Sequence, residues 1–311
     1  MAEVFFLTLG NVLKILIFIV LGYVLRHLKG FPKDAGQALS MLAAWVLSPA
    51  YNIRSLARDF TIETLSQKLL ILGWGVVFLV VTVVLGLLAS RLWSKESGKR
   101  NVLLYAFSFA NYGYFGYPLI ESVFGDAVLA DFIVFSQPLN FATATFGYWL
   151  LTQRKDFSFK RFVVTPVVWS PFLGAALGLL GVRFPMFLED TLSVLSTAMS
   201  PVVMILMGFV LGAVPLKKLF GSWESYVISL IRLVGIGLVG GALYWVTGLR
   251  DVWFLLPVLT LVMPIGSNIV VYPESCGIDT RDNAKAVFIS YVLAVVLLPV
   301  TFSIISYIAG S

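Results

Sequence analysis

Long apolar stretches alternate with short polar connections along the whole chain. Stretches able to cross about 30 Å of hydrocarbon, which takes about 20 residues at 1.5 Å each, fall at 5–26, 35–53, 68–91, 101–122, 128–152, 161–181, 186–212, 222–247, 252–273 and 285–308. Ten helical spans are therefore predicted, the second and seventh each with an internal Pro and several polar residues. Two other spans are interrupted: Ala110 to Pro118 in span 4 and Met263 to Pro273 in span 9 place Asn, Gly and Pro where apolar helix should run on. Both interruptions end in Tyr-Pro, 155 residues apart in a chain of 311. A helix can break inside a membrane only where the freed backbone is buried in protein or lines a wet cavity, and breaks at matching positions of two halves mark a transporter's binding site. The pattern predicts an all-α membrane protein working as a secondary transporter.

Five spans per half oblige the second half to enter the membrane in the opposite sense. Residue kinship supports such an inverted five-plus-five repeat, with one unit at 1–153 and the other at 159–311. Leu39-Ser40-Met41-Leu42 with Ser48-Pro49 matches Leu192-Ser193-Val194-Leu195 with Ser200-Pro201, and Val134-Phe135-Ser136 matches Phe288-Ile289-Ser290. Each match is weak alone, but the shared order and offset join them. The link between the units, Thr152 to Phe162, is short and basic, leaving no room for a soluble domain.

Composition agrees: 59% of residues are hydrophobic, 12% are charged, and mean hydropathy is +0.94. Charged residues make up about a quarter of soluble domains. Lys and Arg set the orientation. Connections after spans 1, 3, 5, 7 and 9 carry fifteen, including Arg26, Arg100, Arg154, Lys155, Lys160, Arg161, Lys217 and Arg281; the other side has Arg54, Arg58, Lys68, Arg183 and Arg250. The odd connections are expected in the cytoplasm and both termini outside it, in an inner (plasma) membrane. Topology then explains the net charge of +6, with no need for a nucleic-acid partner. The single cysteine, Cys276, excludes an intrachain disulfide and a multi-cysteine metal site. His27 reads as an interfacial group at a helix end. The first apolar run ends in basic residues, without a small-residue cleavage site, and predicts no cleaved signal.

At a break, the half-helix that begins there exposes N–H groups and a positive dipole end, and the half-helix that ends there exposes carbonyls. Asn111 and Asn268 add amide donors able to bind a carboxylate without a full charge in a low-dielectric site. Gly113, Gly116 and Gly266 let a ligand approach the backbone, and Pro118 and Pro273 remove a stitching donor. The same Gly and Pro residues could simply kink packed helices, but a kink needs no Asn in each break. Ser267 beside Asn268, and Ser48, Asn52, Gln137 and Asn140 in spans 2 and 5, complete the candidate binding set; interhelical hydrogen bonding is the other reading of Ser48 and Gln137. No cofactor or metal is called for.

Ionisable groups inside spans are costly unless paired or hydrated. Lys14 lies midway along span 1, where its long stem can snorkel from a face turned to lipid or a partner subunit. Arg232 lies inside span 8 and keeps its proton, so it cannot carry one. Its expected partners are Glu121 or Glu274, unless those two are ordinary interfacial acids. An enzyme would need a nucleophile–base pair, a metal triad or an acidic dyad within the spans, and none is present. A channel would need a pore built by oligomerisation, whereas antisymmetric halves favour alternating access.

The chain resembles the auxin efflux carrier family, which includes plant auxin exporters and bacterial carriers of malonate or malate type. The resemblance rests on Gly22-Tyr23-Val24-Leu25-Arg26, Leu47-Ser48-Pro49-Ala50, Asn111-x-Gly113-x-x-Gly116-x-Pro118-Leu119 and Met263-Pro264-x-x-Ser267-Asn268, and runs the length of the chain. It implies a scaffold bundle of spans 1, 2, 6 and 7 and a transport bundle of spans 3–5 and 8–10. It also implies a crossing of spans 4 and 9 near the bilayer midplane with an organic anion beside it, an elevator-type mechanism, and a homodimer through the scaffold. Span 2 would supply the scaffold wall of the pocket and span 5 a polar side chain. The bile acid:sodium symporters share this architecture and are the nearest alternative. Arg232 is expected to stand where such a symporter holds its coupling cation, which argues against sodium coupling.

Overall fold

The computed structural model describes residues 2–152, 166–220, 223–236 and 252–309. Most of the basic link after Thr152, with Arg154, Lys155, Lys160 and Arg161, lies outside the described residues, as do Arg250 and the second half of predicted span 8. In chain order the helices are α1 (Ala2–His27), α2 (Ala35–Leu42), α3 (Ser48–Asp59), α4 (Leu65–Trp93), α5 (Ser97–Ser108), α6 (Tyr117–Ala142), α7 (Tyr148–Thr152), α8 (Pro166–Leu179), α9 (Met186–Leu211), α10 (Leu216–Leu219), α11 (Trp223–Leu230), α12 (Val252–Leu261), α13 (Asn268–Ser275) and α14 (Arg281–Ala309). Wider π turns at Ala43–Leu47, Tyr112–Gly116, Thr143–Gly147 and Ile231–Ile236 join or extend them. Among the described residues the structure is all-helical, and its one pairing of extended backbone is an isolated antiparallel bridge between Ala110 and Ile265.

Among the described residues five helical segments are long and apolar enough to cross a membrane: Ala2–His27, Leu65–Trp93, Ala127–Thr152, Met186–Leu211 and Arg281–Tyr307. The remaining apolar stretches are helical in shorter pieces. Gly125, at a φ of 82° that only glycine adopts freely, bends α6 and separates its first turns from the crossing segment. The α2–α3 helix runs to Asp59, beyond the expected end at residue 53, because Arg54, Ser55 and Arg58 keep a polar face there.

Small residues set the packing, as is usual where lipid removes the hydrophobic drive between helices. α1 lies along α9 with backbones touching: a Cβ on Gly22 would overlap the Ile205 carbonyl, and one on Gly208 the Ile19 carbonyl. α3 lies on α8, where Gly174 and Gly178 meet the main chain of residues 52–60. α4 packs on α5 and α6, with Gly75 against the Phe135 carbonyl and Gly86 against Ser108. A nearly buried ion pair, Lys68 to Asp131 at 2.7 Å, ties α4 to α6. α14 packs between α1 and α11. The outer face of α4 is apolar and exposed, through Leu70, Val80, Leu85 and Leu92, as a lipid-facing helix should be. The turn before α14 is closed by Arg281, whose hydrogen bonds hold the Asp279 carboxyl down to about 2.

Candidate functional site: paired breaks beside a charged cavity

α5 stops at Ser108 because Phe109 turns extended (φ −120°, ψ 125°), and Asn111 leaves helical geometry as well. On the other side α12 stops at Leu261, and residues 262–267 carry the chain across before α13 starts. The two extended pieces meet. Ala110 bridges Ile265, and the Asn111 N–H donates to the Pro264 carbonyl at 2.9 Å. Backbone groups freed by one break are thus satisfied by the other, as a dry interior demands. The approach is close: a Cβ on Gly266 would lie 3.3 Å from the Phe109 and Ala110 carbonyls and the Tyr105 ring.

Side chains hold this junction from both sides. The Asn111 amide donates to the Tyr291 hydroxyl. The Ser290 hydroxyl accepts the Ile265 N–H at 3.1 Å. Tyr117 shares a 2.6 Å hydrogen bond with Ser136 and accepts one from Asn140 at 3.2 Å. Arg232, 1% exposed, donates from Nη1 to the Phe107 carbonyl at 2.5 Å and from Nε to the Met263 carbonyl at 3.4 Å. The first acceptor belongs to the C-terminal turn of α5 and the second follows the end of α12, so one guanidinium faces the negative ends of two half-helices. The expected carboxylate partners are corrected here. Glu121 lies exposed on α6, Glu274 accepts from Thr280 at 2.9 Å, and neither forms an ion pair with Arg232. Main-chain carbonyls take that role because helix ends bring them there at no cost of burying an acid.

The other expected site residues are distributed around the junction. Ser267, 1% exposed, lies by the Tyr291 hydroxyl without a hydrogen bond of ordinary geometry, and the buried Asn268 Oδ1, beside Tyr105, has no partner among the described residues. Gln137 donates to the Ile133 carbonyl at 3.1 Å while its buried Oε1 has no partner among the described residues. Ser48 points to the Met199 sulfur at 3.6 Å and lies by Tyr114. Asn52 donates to Ser170 on α8 at 3.2 Å. Pro273 is buried within α13. Gly113, Pro118 and Glu121 of the expected set line open space.

That space is a cavity of about 280 Å³ between α1, α3, α9 and the turns that follow the first break. This lies at the small end of ligand pockets. α1 presents Asn11, Lys14, Ile15 and Phe18; α3 presents Tyr51, Arg54, Ser55 and Arg58; the broken helix presents Gly113, Tyr117, Pro118 and Glu121. α9 adds Ser196, Thr197, Met199, Ser200 and Pro201. Tyr51 stacks on Tyr117 with centroids 5.2 Å apart and closes one wall. The first bond of the new half-helix is Gly116 N–H to the Asn111 carbonyl at 3.0 Å, so the N–H groups just before it are the orphan donors of a helix start. Lys14 lines this cavity while its side chain stays exposed. The sequence signal for these walls was present: residues 11, 14, 15, 18 and 51, 54, 55, 58 both follow the i, i+3, i+4, i+7 spacing of one helical face. Tyr291, which accepts from the Asn111 amide, carried no such signal, being a single hydroxyl in an apolar run.

An all-helical chain with membrane-length segments and a broken-helix junction beside a polar cavity belongs to the class of integral membrane transporters. A family model described as a membrane transport protein matches residues 7–158 and 155–302. The chain belongs to that family, and its resemblance to the auxin efflux carriers holds. Among its relatives, an uncharacterized transporter of Methanothermobacter thermautotrophicus is 26% identical over 93% of this chain and 95% of its own length. The uncharacterized transporter YfdV of Escherichia coli is 21% identical over 94% and 95%. A third, from Methanocaldococcus jannaschii, is 23% identical over 72% and 74%.

Proposed function

We propose that this chain carries organic anions, carboxylates in particular, by an elevator-type alternating-access mechanism with its site at the junction of spans 4 and 9. The observation that carries the reading is the cavity itself: a half-helix start and three cationic side chains face it against a single lining carboxylate, an arrangement that attracts negative charge. In this reading the ten spans form an inverted repeat, the short helices pairing end to end across the breaks. Repeat-related serines support it, because Ser136 bonds Tyr117 of the first broken helix and Ser290 bonds Ile265 of the second. The packing of α1 on α9 and of α3 on α8 and α9 fits a scaffold of spans 1, 2, 6 and 7; that of α4 on α5 and α6 and of α11 on α14 fits a moving bundle of the remaining spans.

Arg232 supplies a fixed positive charge where the half-helices end. A bound sodium ion there would compete with a guanidinium that never deprotonates, so transport proceeds without sodium. The membrane potential then drives an anion outward with about 2.3 kcal/mol per charge per 100 mV. The protein resides in the inner (plasma) membrane as a homodimer through its scaffold, with both termini outside the cytoplasm.

The test is solid-supported-membrane current from proteoliposomes given mono- and dicarboxylates, with and without a sodium gradient, in wild type and Asn268→Ala. Saturable, sodium-independent currents lost in the variant are expected. Currents that require sodium in wild type and in Arg232→Ala alike would favour a sodium-coupled symporter, and conductance far above carrier turnover would mean an anion channel.

A further inference from the structure

Asn11 is a polar residue in the first half of the 26-residue apolar helix α1, and its side chain is fully engaged. Its Nδ2 donates to the Leu7 carbonyl at 3.0 Å and to the Ser122 hydroxyl at 2.7 Å, while Oδ1 accepts from Lys14 Nζ at 3.4 Å. Ser122 gives its own proton to the Leu119 carbonyl at 2.9 Å, which leaves its oxygen as the acceptor that Asn11 needs. The bond joins α1 to the part of α6 that lies between the first break and Gly125, a segment of about two turns. Tyr51 of α3 stacks on Tyr117 at the other end of that segment. Two ends of one short helical piece are thus held by α1 and α3, beside the cavity whose wall includes Asn11, Tyr51 and Tyr117. A second side-chain bond crosses between the same two groups of helices. α2 follows the end of α1, so it stands at the opposite end of α1 from the cavity mouth near Arg58. There Ser40 donates to the Val271 carbonyl of α13 at 3.4 Å, and the Glu274 carboxylate lies 3.5 Å from where a Cβ on Gly36 would stand. Gly36 and Ser40 are buried by this contact, which closes that end.

We propose that the Asn11–Ser122 hydrogen bond is a latch: it holds the first turns of α6 against α1 while the cavity is open at this end, and it must part for the α2–α13 contact to open. This rests on the alternating-access reading and deepens it, whatever the substrate. A slide of α6 past α1 by even one helical turn, about 5.4 Å, cannot keep a 2.7 Å bond. Parting strands no buried group. Asn11 keeps Leu7 and Lys14, Ser122 keeps Leu119, and Ser122 is already exposed. The latch is therefore weak enough to release and specific enough to bias the two states, as a switching contact has to be.

The test needs no substrate. In a Cys276→Ser background, Ser55→Cys reports on the cavity wall and Ser40→Cys on the closed end, each read as its rate of reaction with a water-soluble methanethiosulfonate in nanodiscs, where both faces are accessible. Asn11→Ala should slow Ser55→Cys and speed Ser40→Cys about threefold, the shift that loss of one solvent-reached hydrogen bond gives. Ser122→Ala should do the same, the double variant should do no more than either single one, and Ser122→Thr, which keeps the hydroxyl, should behave as the parent. Misfolding does not produce that pattern. If neither rate changes, or the two single effects differ or add, the latch is wrong and alternating access stands. If both reporters speed up together in variants that melt like the parent, the two ends open at once, and the alternating-access reading falls with the latch.

Discussion

At the first break, Gly113 and Pro118 stand at the wall of a 280 Å³ cavity, whereas residues 262–267 of the second are all buried. Their amides differ in the opposite direction. Asn111, at the open break, spends its side chain on Tyr291, while the Asn268 Oδ1, at the closed one, has no partner among the described residues. Two segments with the same residue types therefore divide the work. The first offers a helix start to the cavity, and the second packs against it to satisfy its backbone. Such a division follows if only one side of the junction can be open at a time, since the carbonyls and N–H groups of the closed side must find protein partners. Among the described residues, Asn268, Ser267 and Gln137 each keep a buried polar atom without a partner.

The comparison breaks most severely at Arg232, which both breaks share. Arg232→Met should abolish transport and lower the apparent melting temperature strongly, because the Phe107 and Met263 carbonyls would each lose a buried partner worth about 1–3 kcal/mol. Arg232→Lys should recover part of the stability by keeping the charge. Melting curves and counterflow on the same preparations check both, and a stable, active Arg232→Met would mean that the half-helix ends need no counter-charge.

Glycine substitutions sharpen the contrast in openness. Gly266→Ala forces a methyl to 3.3 Å from two carbonyls of the opposing strand and should cost about 1–3 kcal/mol. Gly113→Ala meets nothing nearer than the Tyr117 ring at 3.9 Å, and should change stability by less than about 0.5 kcal/mol while weakening substrate binding. Equal destabilisation would show that the two breaks are equally tight. The two amides are expected to differ as well. Asn111→Ala should cost about 1 kcal/mol for the lost Tyr291 bond, and Asn268→Ala close to nothing in stability while transport falls. Thermal unfolding beside uptake separates the two.

Much of this protein can be read from the chain because the membrane imposes the code. Runs of about 20 apolar residues and two Asn-Gly-Pro interruptions half a chain apart were enough to indicate an all-helical membrane chain, the breaks and the family. The meaning of individual polar residues could not be read so directly. Arg232 was expected to seek an acid and instead donates to two helix ends, since carbonyls carry no sequence signature. Lys14 also lines a cavity, since the rotation of α1 follows from the close approach of Gly22 to the Ile205 carbonyl and of Gly208 to the Ile19 carbonyl. Asn111 and Asn268 look interchangeable in sequence, and only the pairing of the two breaks decides which amide is engaged and which is free. Local composition determined where the chain enters and leaves helix; contacts between residues more than a hundred positions apart decided what each break presents, and to what.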